Sequence, residues 1–212
     1  MIKFGTDGWR AVIAEDFTFQ NVAIVTQALV DYLNSENFPN KTLVVGYDRR
    51  FLSDCFASQV AAQLVANDFQ VLLFDEAVPT PMVSFEVKAQ SLAAGVVITA
   101  SHNPPEFNGF KVKAPFGASA PPEITQQIEV RLGQTPPKLM SFADAIATGK
   151  IKAIQPSINY GRHIADLVDL EQIKASTAKI VVDPMHGSGG RWVEHLLSGG
   201  KCQVTTIRAN QD

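Results

Sequence analysis

The chain has 212 residues, with 18 basic and 21 acidic side chains and a formal net charge of −3. That length holds one large domain or two modest ones, at about 100–200 residues each. A content of 46% hydrophobic and 18% charged residues argues against a disordered chain, and the mild negative charge disfavours general binding to nucleic acid or an anionic membrane.

In chain order, residues 18–34 place Val22, Val25, Leu29 and Leu33 at helical spacing behind Thr18, a residue suited to an N-cap. TLVVGYD (42–48) is a short β-branched run that reads as a buried strand. Ser53 opens a second helix rich in small residues, and FQVLLFD (69–75) is the next strand. The loop EAVPTP (76–81), a helix near 81–90 and the buried strand AAGVVITA (93–100) follow. This rhythm predicts an α/β domain whose largely parallel sheet is covered by helices. SHNPPEFNGFKVK then reads as a loop, with Asn108-Gly109 as a turn signal, and a helix is predicted near 122–132. Residues 133–157 lose periodicity and carry Gly133, Pro136, Pro137, Gly149 and Pro156, which marks a domain boundary. Beyond it come a helix near 158–174, a strand at 179–183, the turn PMHGSGG, a helix near 191–198 and a strand near 202–208. The expected division is a complete domain over 1–150 and the incomplete start of a second α/β domain over 158–212.

Cys55 and Cys202 are far apart and fit no C-x-x-C or Cys/His pattern, so they read as reduced thiols. The four histidines form no metal-ligand spacing. The N-terminus lacks the pattern of a secretory signal, and the longest apolar runs are under ten residues, too short to span a membrane. A cytoplasmic protein is expected.

Ligands of open α/β sheets gather beyond the carboxyl ends of the strands. There the sequence places Asp48, Arg49 and Arg50; then Asp75, Glu76 and Pro79-Thr80-Pro81; then Thr99, Ser101, His102 and Asn103, with Lys111 and Lys113 downstream. A serine hydroxyl needs a base or an electrophile to become a nucleophile, and His102 or Lys111 could supply either. Arg10, Arg49 and Lys111 suit an anionic substrate, because guanidinium forks onto phosphate while ammonium acts as a point charge. Taken singly, each is as readily a solvated loop residue, and Asn103-Pro104 is an ordinary turn starter. Rival motifs fail. Neither GASAP nor HGSGG completes a nucleophile elbow, HGSGGRW places Trp192 where a dinucleotide fingerprint needs glycine, and SGGKC is no Walker A loop.

The string Thr99-Ala100-Ser101-His102-Asn103-Pro104, continuing through Asn108-Gly109 to Lys111, resembles the phosphoserine loop of the α-D-phosphohexomutases, which include phosphoglucomutase and phosphomannomutase. GTDGWR (5–10), VGYDRR (45–50) and DPMHGSGG (183–190) agree with it in order. The resemblance implies a three-layer α/β/α domain with a largely parallel mixed sheet, followed by the start of a second, similar domain. It also implies intramolecular phosphoryl transfer between C1 and C6 of a glucose or mannose phosphate, through a phosphoserine at Ser101 and a hexose bisphosphate intermediate. His102 and Lys111 then become acid/base candidates, Arg10, Arg49 and Asn103 phosphate-binding candidates, and Ser101 a ligand of Mg²⁺. Hexose 1,6-bisphosphate would serve as activator.

The family's D-G-D-x-D-R metal loop, its G-E-x-S-type sugar loop and its R-x-S-G-T phosphate loop do not occur here. The chain therefore resembles the N-terminal portion of such an enzyme, with the remaining domains of the parent as partners. Two alternatives follow. This chain alone is a non-catalytic fragment that at most binds phosphate, or the parent is a phosphoglucosamine mutase. Pro104-Pro105-Glu106 leans toward glucose or mannose phosphates. A phosphatase or hydrolase that uses Ser101 is a third reading.

Overall fold

The computed structural model describes residues 2–5, 7–36, 38–156 and 158–211, without the side chain of Ile158. It divides into two compact units, Met1–Gln155 and Pro156–Asp212.

The first unit runs β1 (Trp9–Val12), α1 (Phe19–Ser35), β2 (Thr42–Tyr47), α2 (Ser53–Ala66), β3 (Gln70–Phe74), α3 (Thr80–Ala89), β4 (Ala94–Ile98), β5 (Phe107–Lys113), α4 (Pro122–Glu129), α5 (Phe142–Ala147) and β6 (Ile151–Ile154). Its strands form one sheet in the order β1-β5-β4-β2-β3-β6. The β4–β2, β2–β3 and β3–β6 pairs are parallel, whereas β4–β5 and β5–β1 are antiparallel. The mixed, mostly parallel α/β/α architecture matches the expected fold class.

Local chemistry accounts for the elements. Thr18 is extended, and its hydroxyl accepts from the Asn21 N–H at 3.1 Å, satisfying one of the four orphan donors that open α1. The small residues Ala57, Val60 and Ala61 are fully buried in α2, which lets that helix lie close to the sheet. Alternation along the strands then sorts the layers. Leu43, Val45, Val71, Leu73, Val96 and Ile98 join α1 and α2 in one apolar core. Gly46 faces the other way, where a Cβ would lie 2.5 Å from Val83 Cγ2 of α3. A side chain there would force Val83 to move.

Three elements differ from the sequence expectation. FNGFKVK is the strand β5 from Phe107 on, and Asn108-Gly109 lies inside it, paired with Ala11 and Arg10 of β1. A buried Asn108 and a side-chain-free Gly109 serve packing there, so the dipeptide's turn preference is overridden. The aperiodic stretch 133–157 contains α5 and β6, and β6 pairs with β3 at the sheet edge. The predicted helix at 158–174 is two helices.

The second unit holds α6 (Ile158–Leu167), α7 (Leu170–Ala175), β7 (Lys179–Val182), α8 (Trp192–Leu197) and β8 (Gln203–Thr206). The break falls at Asp169, whose carboxylate caps α7 through the Gln172 N–H. β7 and β8 pair in parallel. No described helix of either unit is long and apolar enough to cross a membrane.

Candidate active site

β2 and β4 are parallel neighbours with Tyr47 opposite Ile98, so the loops that leave their carboxyl ends lie side by side. The first loop carries Asp48 and Arg50; the second, between β4 and β5, carries Ser101. A chain of polar contacts joins them. The Ser101 N–H donates to Thr99 Oγ1 at 2.9 Å, and the Thr99 hydroxyl donates to Asp48 Oδ2 at 2.5 Å. The other oxygen, Asp48 Oδ1, accepts from the Arg50 N–H and from the Ser53 hydroxyl. Ser53 Oγ in turn accepts from Asn108 Nδ2 at 2.9 Å. β5 must pass closely beneath this frame, and Gly109 permits it, since a Cβ there would lie 2.5 Å from the Thr99 carbonyl oxygen.

Ser101 itself is exposed, at φ +60°. A left-handed conformation costs a non-glycine residue roughly 1–2 kcal/mol, and it presents the hydroxyl at the tip of the loop. His102 is also exposed, with Nδ1 3.4 Å from Ser101 Oγ, longer than an ordinary O–H···N hydrogen bond.

Beside the serine loop lies a second network, built from one face of β1 and β5. Arg10 Nη1 donates to Asn103 Oδ1 at 2.9 Å. Lys111, buried on β5, donates to Asp7 Oδ2 at 2.5 Å. Lys113 Nζ donates to Ser119 Oγ at 2.8 Å, and the Ser119 hydroxyl donates to Asp7 Oδ1. Arg10 and Lys113 each also lie 3.9 Å from the Asp7 carboxylate. Burial pushes the Asp7 carboxyl up, but hydrogen bonds from Lys111 and Ser119, with the charges of Lys111 and Lys113, outweigh it and leave the group below its ordinary value. Burial pushes the Lys113 ammonium down, and the Asp7 charge only partly restores it. Arg10, Arg50, Lys111 and Lys113 thus contribute four cations against the two carboxylates Asp7 and Asp48. That surplus is suited to a phosphoryl group.

The structure therefore brings Arg10, Asn103, Ser101 and His102 onto or against one loop, with Lys111 bound to the adjoining Asp7. Arg49 is half-buried on the neighbouring loop. The guanidinium seated in the serine loop is that of Arg50, which donates to the carbonyls of Ser101, Asn103, Pro104 and Phe107 at 2.5–3.0 Å. Asp7 and Ser119 are the site residues that sequence reasoning missed, while Asp48 and Arg50 were placed at the strand end without a role. Asp7 lies inside the motif GTDGWR, a signal that could have found it; Ser119 carries none.

The described residues contain no group of three or more His, Cys, Asp or Glu side chains able to hold a metal ion. Magnesium prefers several oxygen ligands, and Ser101 Oγ offers only one. These residues alone do not fit a resident Mg²⁺.

Comparison with known proteins bears on the family and the fold. The family model "Phosphoglucomutase/phosphomannomutase, alpha/beta/alpha domain I" matches residues 1–136. A phosphoglucomutase of Staphylococcus saprophyticus is 30% identical over 210 residues, covering 93% of this chain and 37% of the relative. A Pyrococcus abyssi protein named a probable phosphoglucosamine mutase is 33% identical over 207 residues, covering 98% of this chain and 43% of the relative. The crystal structure of a Thermus thermophilus protein, provisionally assigned as a phosphomannomutase, superposes with a TM-score of 0.90 at 30% identity, covering 100% of this chain and 46% of that one. The chain thus spans less than half the length of these relatives. With its serine loop, flanking cations and α/β/α fold, it belongs to the phosphoglucomutase/phosphomannomutase family.

Proposed function

We propose that this chain supplies the phosphoserine domain of a phosphohexomutase that moves a phosphoryl group between C1 and C6 of glucose or mannose phosphate. The observation that carries the reading is the exposed, left-handed Ser101 at the tip of a loop flanked by Arg10, Lys111 and Arg50. In the phosphorylated enzyme, a free hydroxyl of the hexose monophosphate attacks the phosphorus on Ser101. The new sugar O–P bond forms as the Ser Oγ–P bond breaks. The sugar hydroxyl loses its proton to a base, and Ser101 Oγ gains one from an acid. The hexose bisphosphate then reorients and returns its other phosphoryl group to Ser101.

This chain's residues act chiefly by position and charge, which dominate phosphoryl transfer. Arg10 holds Asn103 against the loop and presents a guanidinium edge to phosphate. Lys111, aligned by Asp7, adds a second cation. His102 stands next to Ser101 Oγ as one acid/base candidate, with Lys111 the other, and a substrate-driven shortening of the 3.4 Å separation would bring His102 into range. Arg49 lies on the adjoining loop, within the same proposed phosphate-binding region. Hexose 1,6-bisphosphate serves as the donor that first loads Ser101. Mg²⁺ would supply charge neutralisation at the phosphoserine, with its carboxylate ligands drawn from the remaining domains of the parent enzyme.

The test uses the complete enzyme that carries this chain, given glucose 1-phosphate, Mg²⁺ and hexose 1,6-bisphosphate. Glucose 6-phosphate should form, and label from the bisphosphate should pass to Ser101 and back to sugar. Failure of both steps would refute the mutase reading, and label leaving only as inorganic phosphate would replace it with a hydrolase. Faster turnover on glucosamine phosphate would move the substrate to the amino sugar, the class named for the Pyrococcus relative.

A second reading concerns the 212 residues alone: the sequence lacks the family's D-G-D-x-D-R, G-E-x-S-type and R-x-S-G-T loops, which favours phosphate binding without turnover. Isomerisation by the purified chain, abolished in Ser101→Ala, would overturn it.

A further inference from the structure

The serine loop presents an unusual problem of hydrogen bonding. Between Thr99 and Phe107 it contains Pro104 and Pro105, neither of which has an N–H. The loop therefore holds more backbone acceptors than local donors, and unpaired carbonyls are costly once water is displaced. A guanidinium brings five donors in a rigid fork and no acceptor. Arg50 gives four of these five donors to the loop. Nη1 donates to the carbonyls of Pro104 and Phe107 at 2.8 and 3.0 Å, and Nη2 to those of Ser101 and Asn103 at 2.9 and 2.5 Å. Nε faces Asp48 Oδ2 at 3.4 Å, and both side chains are mostly buried. The same Asp48 oxygen accepts from Thr99, whose hydroxyl receives the Ser101 N–H. Ser101 is thus held from both sides, its amide through Thr99 and Asp48 and its carbonyl through Arg50.

The orientation of the peptide planes adds a consequence. In a trans peptide the C=O and the following N–H point in opposite directions. With the Ser101 carbonyl drawn to Arg50, the His102 N–H is turned away from it.

We infer that Arg50 is a positioning residue for phosphoryl transfer, whose guanidinium binds four carbonyls of the serine loop and so holds Ser101 in its left-handed, outward-facing conformation. The inference rests on the reading of Ser101 as the phosphoryl carrier. Arg50 acts through the loop, and its charge is neutralised locally by Asp48. Its loss should therefore reduce the rate of transfer with little effect on sugar binding. Lysine keeps the charge but lacks the planar fork, so Arg50→Lys should not restore the wild-type rate.

Two measurements test this. The first is hydrogen exchange in the 212-residue chain, with Arg50→Gln and Arg50→Lys beside wild type. Segment 99–107 should exchange faster in both variants, while the core strands β2 and β3 keep their protection. The second is the rate at which labelled hexose 1,6-bisphosphate loads Ser101 in the complete enzyme. Arg50→Gln should lower the maximal rate by about 10²-fold, the scale expected when a reacting atom is misplaced by an ångström. Half-saturation should be unchanged, and Arg50→Lys should be intermediate.

Unaltered exchange in the loop overturns the inference. So does an unaltered maximal rate, or a defect confined to half-saturation. If Arg50→Gln fails to fold, Arg50→Lys is judged by the same two criteria. Ser101→Ala separates the two readings. Retained labelling in that variant refutes the role of Ser101 itself, and loop exchange then decides whether Arg50 holds the loop. Abolished labelling in Ser101→Ala with a wild-type rate in Arg50→Gln refutes only the role of Arg50.

Discussion

Gly109→Ala tests how tightly β5 is pressed against the serine loop. A Cβ at this position would sit 2.5 Å from the Thr99 carbonyl oxygen, 3.0 Å from the Trp9 carbonyl oxygen and 3.1 Å from Arg10 Cγ. The two nearest atoms are backbone, one at the root of the serine loop and one on β1, so retreat from either disturbs a neighbour. The Thr99 N–H also donates to the Gly109 carbonyl at 2.9 Å, which limits how far these two residues can separate. One forced methyl in a packed site costs about 1–3 kcal/mol. At about 2–4 °C per kcal/mol for a chain of this size, the midpoint should fall by about 2–12 °C. Thermal unfolding followed by circular dichroism measures it, with urea denaturation as a check on the free energy. A midpoint within about 1 °C of wild type would refute the claim that the glycine is required by close approach.

Asp48→Ala removes the acceptor shared by Thr99, Ser53 and the Arg50 amide, and leaves the Arg50 guanidinium without its carboxylate; urea denaturation should show a loss of about 3–5 kcal/mol. Asp7 has a carboxyl held below its ordinary value of 3.8, so its stabilisation is fully present above that pH and is lost as the pH falls through the depressed folded value. The stability difference between wild type and Asp7→Asn should accordingly be largest near neutrality and shrink below pH 3.8 in a series of urea melts; a difference that does not change with pH would contradict the ion-pair account. Thr18→Ala should cost about 1 kcal/mol through loss of the α1 cap, measured by the same melts. Cys55 is exposed and Cys202 buried, so a thiol reagent should titrate one cysteine in the native chain and two after unfolding.

Legibility of the fold followed burial. The helix α1 and the strands β2, β3 and β4 were readable because they are apolar on the period of their structure and are bounded by Thr18, Asp48 and Asp75. β5 was not, because Asn108, Gly109, Lys111 and Lys113 make it polar, and its place in the sheet depends on pairing with β1 and β4. β6 was hidden for a related reason: IKAI is short and lies among glycines and prolines, and only its pairing with β3 makes it a strand. In the site, Ser101, Arg10, Asn103 and Lys111 stand in recognisable strings. That Arg50 binds the serine loop depends on where the turn after β2 directs its side chain, and residue type carries no information on that. The contacts of Asp7 with Lys111 and Ser119 join residues 104 and 112 positions apart, and nothing local announces them.

The antiparallel return of β5 has a mechanical consequence. A phosphate loop in a parallel α/β sheet commonly leads into a helix, whose N-terminal amides receive the anion. Here the chain leaves β4, bears Ser101 and re-enters the same sheet as β5, so both ends of the loop are rooted in strand hydrogen bonds. Ser101 is mounted like a post, not hung on a swinging lid. Under the proposed transfer, a sugar that presents first one end and then the other to such a post has to turn around by itself, in space provided by whatever faces the loop.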